Sequence, residues 1–288
     1  MKSNAYFYAL IAVFFWSTVA TAFKLALRNI NYIQMLFYSS LFSSLVLFIL
    51  LLVQKKSSLL RRTDRQQWQK SALQGLLNPF CYYLILFKAY SILPAQQAQP
   101  LNFTWPIMLV IFSMLFLKEK IQLRNFIGIL ISFCGVVVIA TEGELLGLRM
   151  NHPWGVLLAT GSSLFWATYW LLNIQDTVDV VFRMFLNFIF GTLYISILAL
   201  AIGCPLLVPG RSLMLCLYIG IFEMGFTFVV WSKALQISKS ALVSHLVYLS
   251  PFISLLFIHF VLHEEILAAS IWGLILIIAG ILLGQKRK

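Results

Sequence analysis

Apolar residues fall in ten runs, at 5–24, 33–53, 71–91, 95–117, 124–141, 153–173, 183–203, 212–234, 240–262 and 267–284, joined by short polar connections. Each is close to the about 20 residues that a helix needs to cross a hydrocarbon core. Transmembrane strands are only about ten residues long and alternate in polarity. The runs Ile127 to Ala140 and Ile271 to Leu283 instead carry apolar residues on every face. The pattern predicts an all-α integral membrane protein with ten transmembrane helices.

Composition agrees: 61% of the 288 residues are hydrophobic and 10% charged, against roughly 25% charged in a soluble domain. The net charge of +12 does not require a nucleic-acid partner, because the 21 basic residues sit mainly in the connections. The longest connection, 54–70, carries Lys55, Lys56, Arg61, Arg62, Arg65 and Lys70 and is therefore predicted to be cytoplasmic. Alternating from there puts Lys2, Lys118, Lys120, Arg124, Arg183, Lys239, Lys286, Arg287 and Lys288 on the same side. Only Arg28, Arg149 and Arg211 fall opposite, with Lys24, Lys88 and Lys233 at helix ends. Both termini are expected in the cytoplasm of a multi-pass inner- or plasma-membrane protein.

Cys81, Cys134, Cys204 and Cys216 form no CxxC pair and the four histidines no ligand spacing, so neither a metal, a cofactor nor a disulfide framework is expected. Cys204 and Cys216 flank one loop and are read as free thiols. Lys2 followed by an apolar stretch and Ala20-Thr21-Ala22 resembles a signal peptide, but the segment recurs later and is read as the first span.

At an offset of 145, Gly75 meets Gly220, Lys88 meets Lys233, Pro106 meets Pro251, Glu119 meets Glu264, Gly128 meets Gly273 and Gly135 meets Gly280. At an offset of 150, Phe15-Trp16-Ser17-Thr18 meets Phe165-Trp166-Ala167-Thr168. The chain therefore divides into five-helix repeats, 1–145 and 146–288, which together form one membrane domain. Five is odd, so the second repeat enters the membrane inverted. Accordingly, Lys118-Glu119-Lys120 on the predicted inside becomes His263-Glu264-Glu265 on the predicted outside. Such inverted repeats fit secondary transporters, since one fold in two orientations yields inward- and outward-open states.

The FWST and FWAT segments, Trp105-Pro106, and a Glu before the last helix of each repeat resemble the EamA-type branch of the drug/metabolite transporter superfamily across the whole chain. Asn102 to Pro106 and Glu223 to Phe226 are similar to bacterial amino-acid exporters, whose matching helices line a central cavity. The resemblance implies a carrier of amino acids or related amphipathic compounds, moving outward by alternating access. Nucleotide-sugar carriers and lipid-linked-sugar flippases are the alternative, and a lipid-modifying enzyme a remote one for which no catalytic cluster is present.

Ionisable groups are costly in a bilayer, about 2.5–3.5 kcal/mol for a central Asp on insertion scales, and so mark pathways or buried partners. Glu223 is the one acidic residue near mid-span. It is read as a proton-titrating carboxylate or a counter-ion for a substrate ammonium, with a structural hydrogen bond as the bland alternative. Its repeat counterpart is Asn78. Gln99, Asn102 and Trp105 follow at spacings of three in the fourth span, interrupted by Pro100 and Pro106. The ninth span answers with Ser244, Tyr248 and His245, the last a possible coupling residue. Trp16, Ser17, Thr18, Tyr82, Trp166 and Tyr169 complete the cavity candidates; interhelical hydrogen bonding competes for each polar one. Helix-end dipoles account for Lys88 and Lys233, and snorkelling for Lys24. Gly128/Gly135 and Gly273/Gly280 lie seven apart on the fifth and tenth spans, a smooth face for packing within the chain or for a homodimer.

Overall fold

The computed structural model describes residues 2–116, 123–144, 150–174, 176, 178–237 and 245–284. With no water in a bilayer core, backbone groups must pair within their own segment, and the described residues accordingly form helices. In chain order these are α1 (Lys2–Leu27), α2 (Tyr32–Val53), α3 (Ser58–Arg62), α4 (Arg65–Gly75), α5 (Tyr82–Ile92), α6 (Ala95–Asn102) and α7 (Trp105–Phe116). Then follow α8 (Leu123–Ala140), α9 (Pro153–Ile174), α10 (Val180–Ala201), α11 (Gly210–Tyr218), α12 (Phe226–Ile237), α13 (Ser250–Phe257) and α14 (Ala268–Gly284). Among the described residues six helical segments are long and apolar enough to cross a membrane, and two shorter apolar ones, Leu246–Leu262 and Ala268–Gly284, accompany them.

Four predicted spans are not continuous. The third passes from α4 to α5 through a π-turn at Leu76–Cys81, where Asn78 leaves helical geometry at φ −147°, ψ 119° before Pro79. The fourth is split between α6 and α7 at Phe103 and Thr104, the eighth has a π-turn at Ile219–Glu223, and the described part of the ninth contains a 3-10 turn at Leu246–Leu249. Pro79, Pro100, Pro106 and Pro251 each lack a backbone N–H and crowd the preceding turn, which places the breaks in the third, fourth and ninth spans. The eighth has no proline; its break lies between Gly220 and Gly225. The connection 54–70, predicted as a loop, instead contains α3 and the start of the third span, where Asp64 caps α4 by accepting from the Gln67 backbone N–H at 2.8 Å.

Neighbour relations carry the repeat into three dimensions. α1 packs on α12 and α13, and α9 on α5 and α7; α4 packs on α10, and α11 on α2; α2 meets α10, and α8 meets α14. Replacing every span by the one five places later leaves this set of pairs unchanged. The same exchange is visible atom by atom: a Cβ on Gly75 would meet the Asn187 carbonyl and Phe190, and one on Gly220 the Ser39 carbonyl and Phe42.

The closest seam joins α8 to α14. A Cβ built on Gly128 would lie 2.5 Å from the Gly280 carbonyl, and one on Gly135 2.5 Å from the Gly273 carbonyl. Both glycine faces are thus used within one chain, one of the two packings that their spacing allows: their backbones touch across the seam. All four cysteines are free.

Candidate functional site

A cavity of about 420 Å³ lies where the broken spans meet α1 and α9. Helical spacing brings one stripe of each element to it. From α1 come Trp16, Val19 and Phe23; from α5, Tyr82, Leu86 and Tyr90; from α9, Trp166 and Trp170; from α12, Phe228, Trp231 and Leu235. Polar residues come from beside the breaks: Gln99 and Asn102 from α6, Glu223 from the π-turn, Tyr248 from the turn ahead of α13 and Ser250 from the first position of α13. Discontinuous helices at a repeat interface are where transporter folds place their ligand sites, because freed backbone and polar groups can face a cavity there.

The walls are aromatic. Trp16 lies 5.5 Å from Trp231 and 5.4 Å from Phe228 between ring centroids, and Trp166 lies 5.3 Å from Phe228 and 4.7 Å from Tyr82. Glu223 is 8% exposed. Its Oε1 accepts from the Tyr83 hydroxyl at 3.0 Å, and its Oε2 has no hydrogen-bond partner. Asn102 is engaged at both ends, accepting from the Tyr82 hydroxyl at 3.1 Å and donating to Ser162 Oγ at 2.8 Å.

Of the residues expected at the site, Trp16, Tyr82, Gln99, Asn102, Trp105, Trp166, Glu223 and Tyr248 line the cavity. Five others do not. Ser17 donates back to the Val13 carbonyl at 2.6 Å, and Thr18 to the Phe15 carbonyl at 2.7 Å with the Tyr218 hydroxyl 2.6 Å away. Tyr169 receives a hydrogen bond from Asn187 at 3.2 Å, Asn78 is buried at the break in the third span, and His245 stacks beside Tyr248 at 5.9 Å off the cavity wall. Ser244 lies outside the described residues. Phe23, Tyr90, Trp170, Phe228, Trp231 and Ser250 were not among the expected residues, although the spacings 16/19/23 and 228/231/235 carry the signal.

None of the three helix-end lysines reaches the cavity, and among the described lining residues there is no Lys, Arg or His. Lys88 lies 5.0 Å from the centroid of the Tyr32 ring and Lys233 4.6 Å from that of Tyr8, both as cation–π pairs. A nucleotide sugar would therefore meet no counter-charge. Lys24 does not snorkel to the headgroups; it donates to the carbonyls of Tyr90 at 3.0 Å and Leu93 at 2.9 Å, capping the end of α5.

That lysine, one residue beyond Phe23, lies beside a hydrogen-bond network at the end predicted to face outward. The Glu264 carboxylate accepts from the backbone N–H groups of Ala95 at 3.2 Å and Gln96 at 3.4 Å, at the positive N-terminus of α6. Gln96 donates to the Glu265 carbonyl at 2.6 Å and accepts from Leu267 N–H at 2.7 Å, while Gln97 donates to Glu142 at 2.9 Å. Gln96 and Gln97 are thus engaged in this network, and Gln99 lines the cavity.

The sequence matches the profile of the EamA-like transporter family twice, at residues 3–141 and 153–284. It is 25% identical to the uncharacterized transporter YvbV of Bacillus subtilis over 78% of this chain and 74% of that one. An uncharacterized transporter of Archaeoglobus fulgidus is 24% identical over 100% and 99%. The aromatic amino acid exporter YddG of Ancylobacter novellus is 24% identical over 67% of each chain. A solved crystal structure shares the fold with a TM-score of 0.66 at 21% identity, covering 98% of this chain and 96% of its own.

Proposed function

This chain belongs to the EamA-like transporter family, multi-pass membrane proteins that are transporters and not enzymes, and on that premise we propose that it is a ten-span secondary transporter. It exports small amphipathic metabolites, amino acids or compounds related to them, by alternating access between two inverted repeats, 1–145 and 146–288. The observation that carries this reading is the aromatic cavity at the meeting of four broken spans, with Glu223 as its single charged group among the described residues. Support for the substrate class comes from the likeness to the aromatic amino acid exporter YddG.

In this reading Glu223 holds either a proton or a substrate ammonium. Its occupancy biases the rocking equilibrium, because a ligand shifts two states only through its differential affinity for them. Proton entry thus drives substrate exit.

The test is uptake of a labelled metabolite panel into proteoliposomes, with and without an imposed pH gradient. Saturable uptake of one class, raised by the gradient, is expected; uptake of none of the panel would remove the reading. The orientation is checked separately. A single cysteine at Ser57, exposed between α2 and α3, is expected to react with an impermeant thiol reagent from the cytoplasmic side. One at Asn151, exposed ahead of α9, is expected to react from outside. Labelling of both from the same side would overturn the inverted topology.

A further inference from the structure

The polar atoms of the cavity wall also fix the charge of what it takes, and this narrowing rests on the transporter reading above. Glu223 Oε2 and Gln99 Oε1 are buried acceptors without a hydrogen-bond partner, and both residues line the cavity. A buried polar atom left unpaired is costly, so two of them on residues that line one largely apolar space call for a ligand that brings donors. Asn102 gives one of its two amide hydrogens to Ser162. The indole N–H of Trp170 is also buried without a hydrogen-bond partner among the described residues, and like the other donors of the described lining it is neutral.

We propose that the cavity is selective for organic monocations: an ammonium head bonded to Glu223 and Gln99, with an apolar body held between the rings of Trp16, Trp166 and Trp231. Ring faces carry negative potential and attract a cation within about 6 Å, which adds to the attraction of the carboxylate. The same faces repel an anion, and no cationic side chain among the described lining residues offsets a carboxylate. A monoamine is therefore preferred over the amino acid that carries the same side chain.

Binding is measured by quenching of intrinsic tryptophan fluorescence on the full-length protein in lipid nanodiscs, with 2-phenylethylamine, phenylalanine and 3-phenylpropionate as matched probes. The amine is expected to bind at least about tenfold more tightly than the other two, and Glu223→Gln to cost it at least about tenfold, the usual scale for losing one partner of a buried charge pair. Glu223→Asp, which keeps the charge, should preserve the order and guards against a variant that misfolds. Equal or tighter binding of phenylalanine or 3-phenylpropionate overturns the proposal, as does failure of the amine to bind or an order that survives Glu223→Gln. Counterflow in proteoliposomes separates the two readings. Carriage of the anion with no amine preference leaves a transporter without this selectivity, whereas selective amine binding without movement leaves the selectivity and removes the transporter.

Discussion

Replacing Glu223 by Gln is expected to reduce pH-gradient-driven accumulation in proteoliposomes to the level of protein-free vesicles. Counterflow at saturating substrate should persist with a raised half-saturation. The two readouts part because they ask different things of the side chain. Gln fits the same space beside Tyr83 and keeps an acceptor for its hydroxyl, so the cavity survives. An amide takes up no proton, so protonation can no longer compete with substrate at that position, and the gradient loses its grip on the equilibrium. Accumulation that survives the substitution would make Glu223 a structural group.

The second large effect concerns the α8–α14 seam. Gly135→Ala puts a methyl group 2.5 Å from the Gly273 carbonyl and 2.9 Å from Ile277 Cγ1, and the carbonyl is backbone that cannot swing aside. Overpacking of this kind costs about 1–3 kcal/mol. A clear fall in thermal stability and in the yield of monodisperse protein is expected in detergent. Gly161→Ala is the matched control. Gly161 sits inside α9, where an added Cβ meets nothing within 4 Å, and removing a helical glycine favours the helix by roughly 0.5–1 kcal/mol. Equal melting temperatures for the two variants would show that the seam does not hold the halves together.

Hydropathy and repetition carry most of the architecture, because a bilayer admits few backbone solutions and a duplicated sequence states its own symmetry. Side-chain direction is harder to read. Phe15-Trp16-Ser17-Thr18 repeats as a block, yet neighbours on a helix point about 100° apart, so only Trp16 reaches the cavity while Ser17 and Thr18 bond their own backbone. Trp231 lies toward one end of its span and has the look of an interfacial aromatic. It is a wall residue because the cavity runs along α12 as far as Leu235. The fourth span announced its break through two prolines, but the eighth gave no such signal. Its π-turn depends on how Gly220 lies against α2, a tertiary contact. Glu223 was legible for a simpler reason: one carboxylate in the middle of an apolar run has few explanations.

The network around Lys24, Gln96 and Glu264 is made of hydrogen bonds to helix ends, set beside buried apolar residues such as Leu93. A neutral bond such as those of the Gln96 side chain is worth a net of about 0.5–1.5 kcal/mol and one to a charged group such as Lys24 or Glu264 about 1.5–3 kcal/mol, because water offers the same partners. In the alternating-access reading proposed above, these are bonds that solvent can replace when this end opens, while the glycine seam between α8 and α14, which contains none of them, can stay packed.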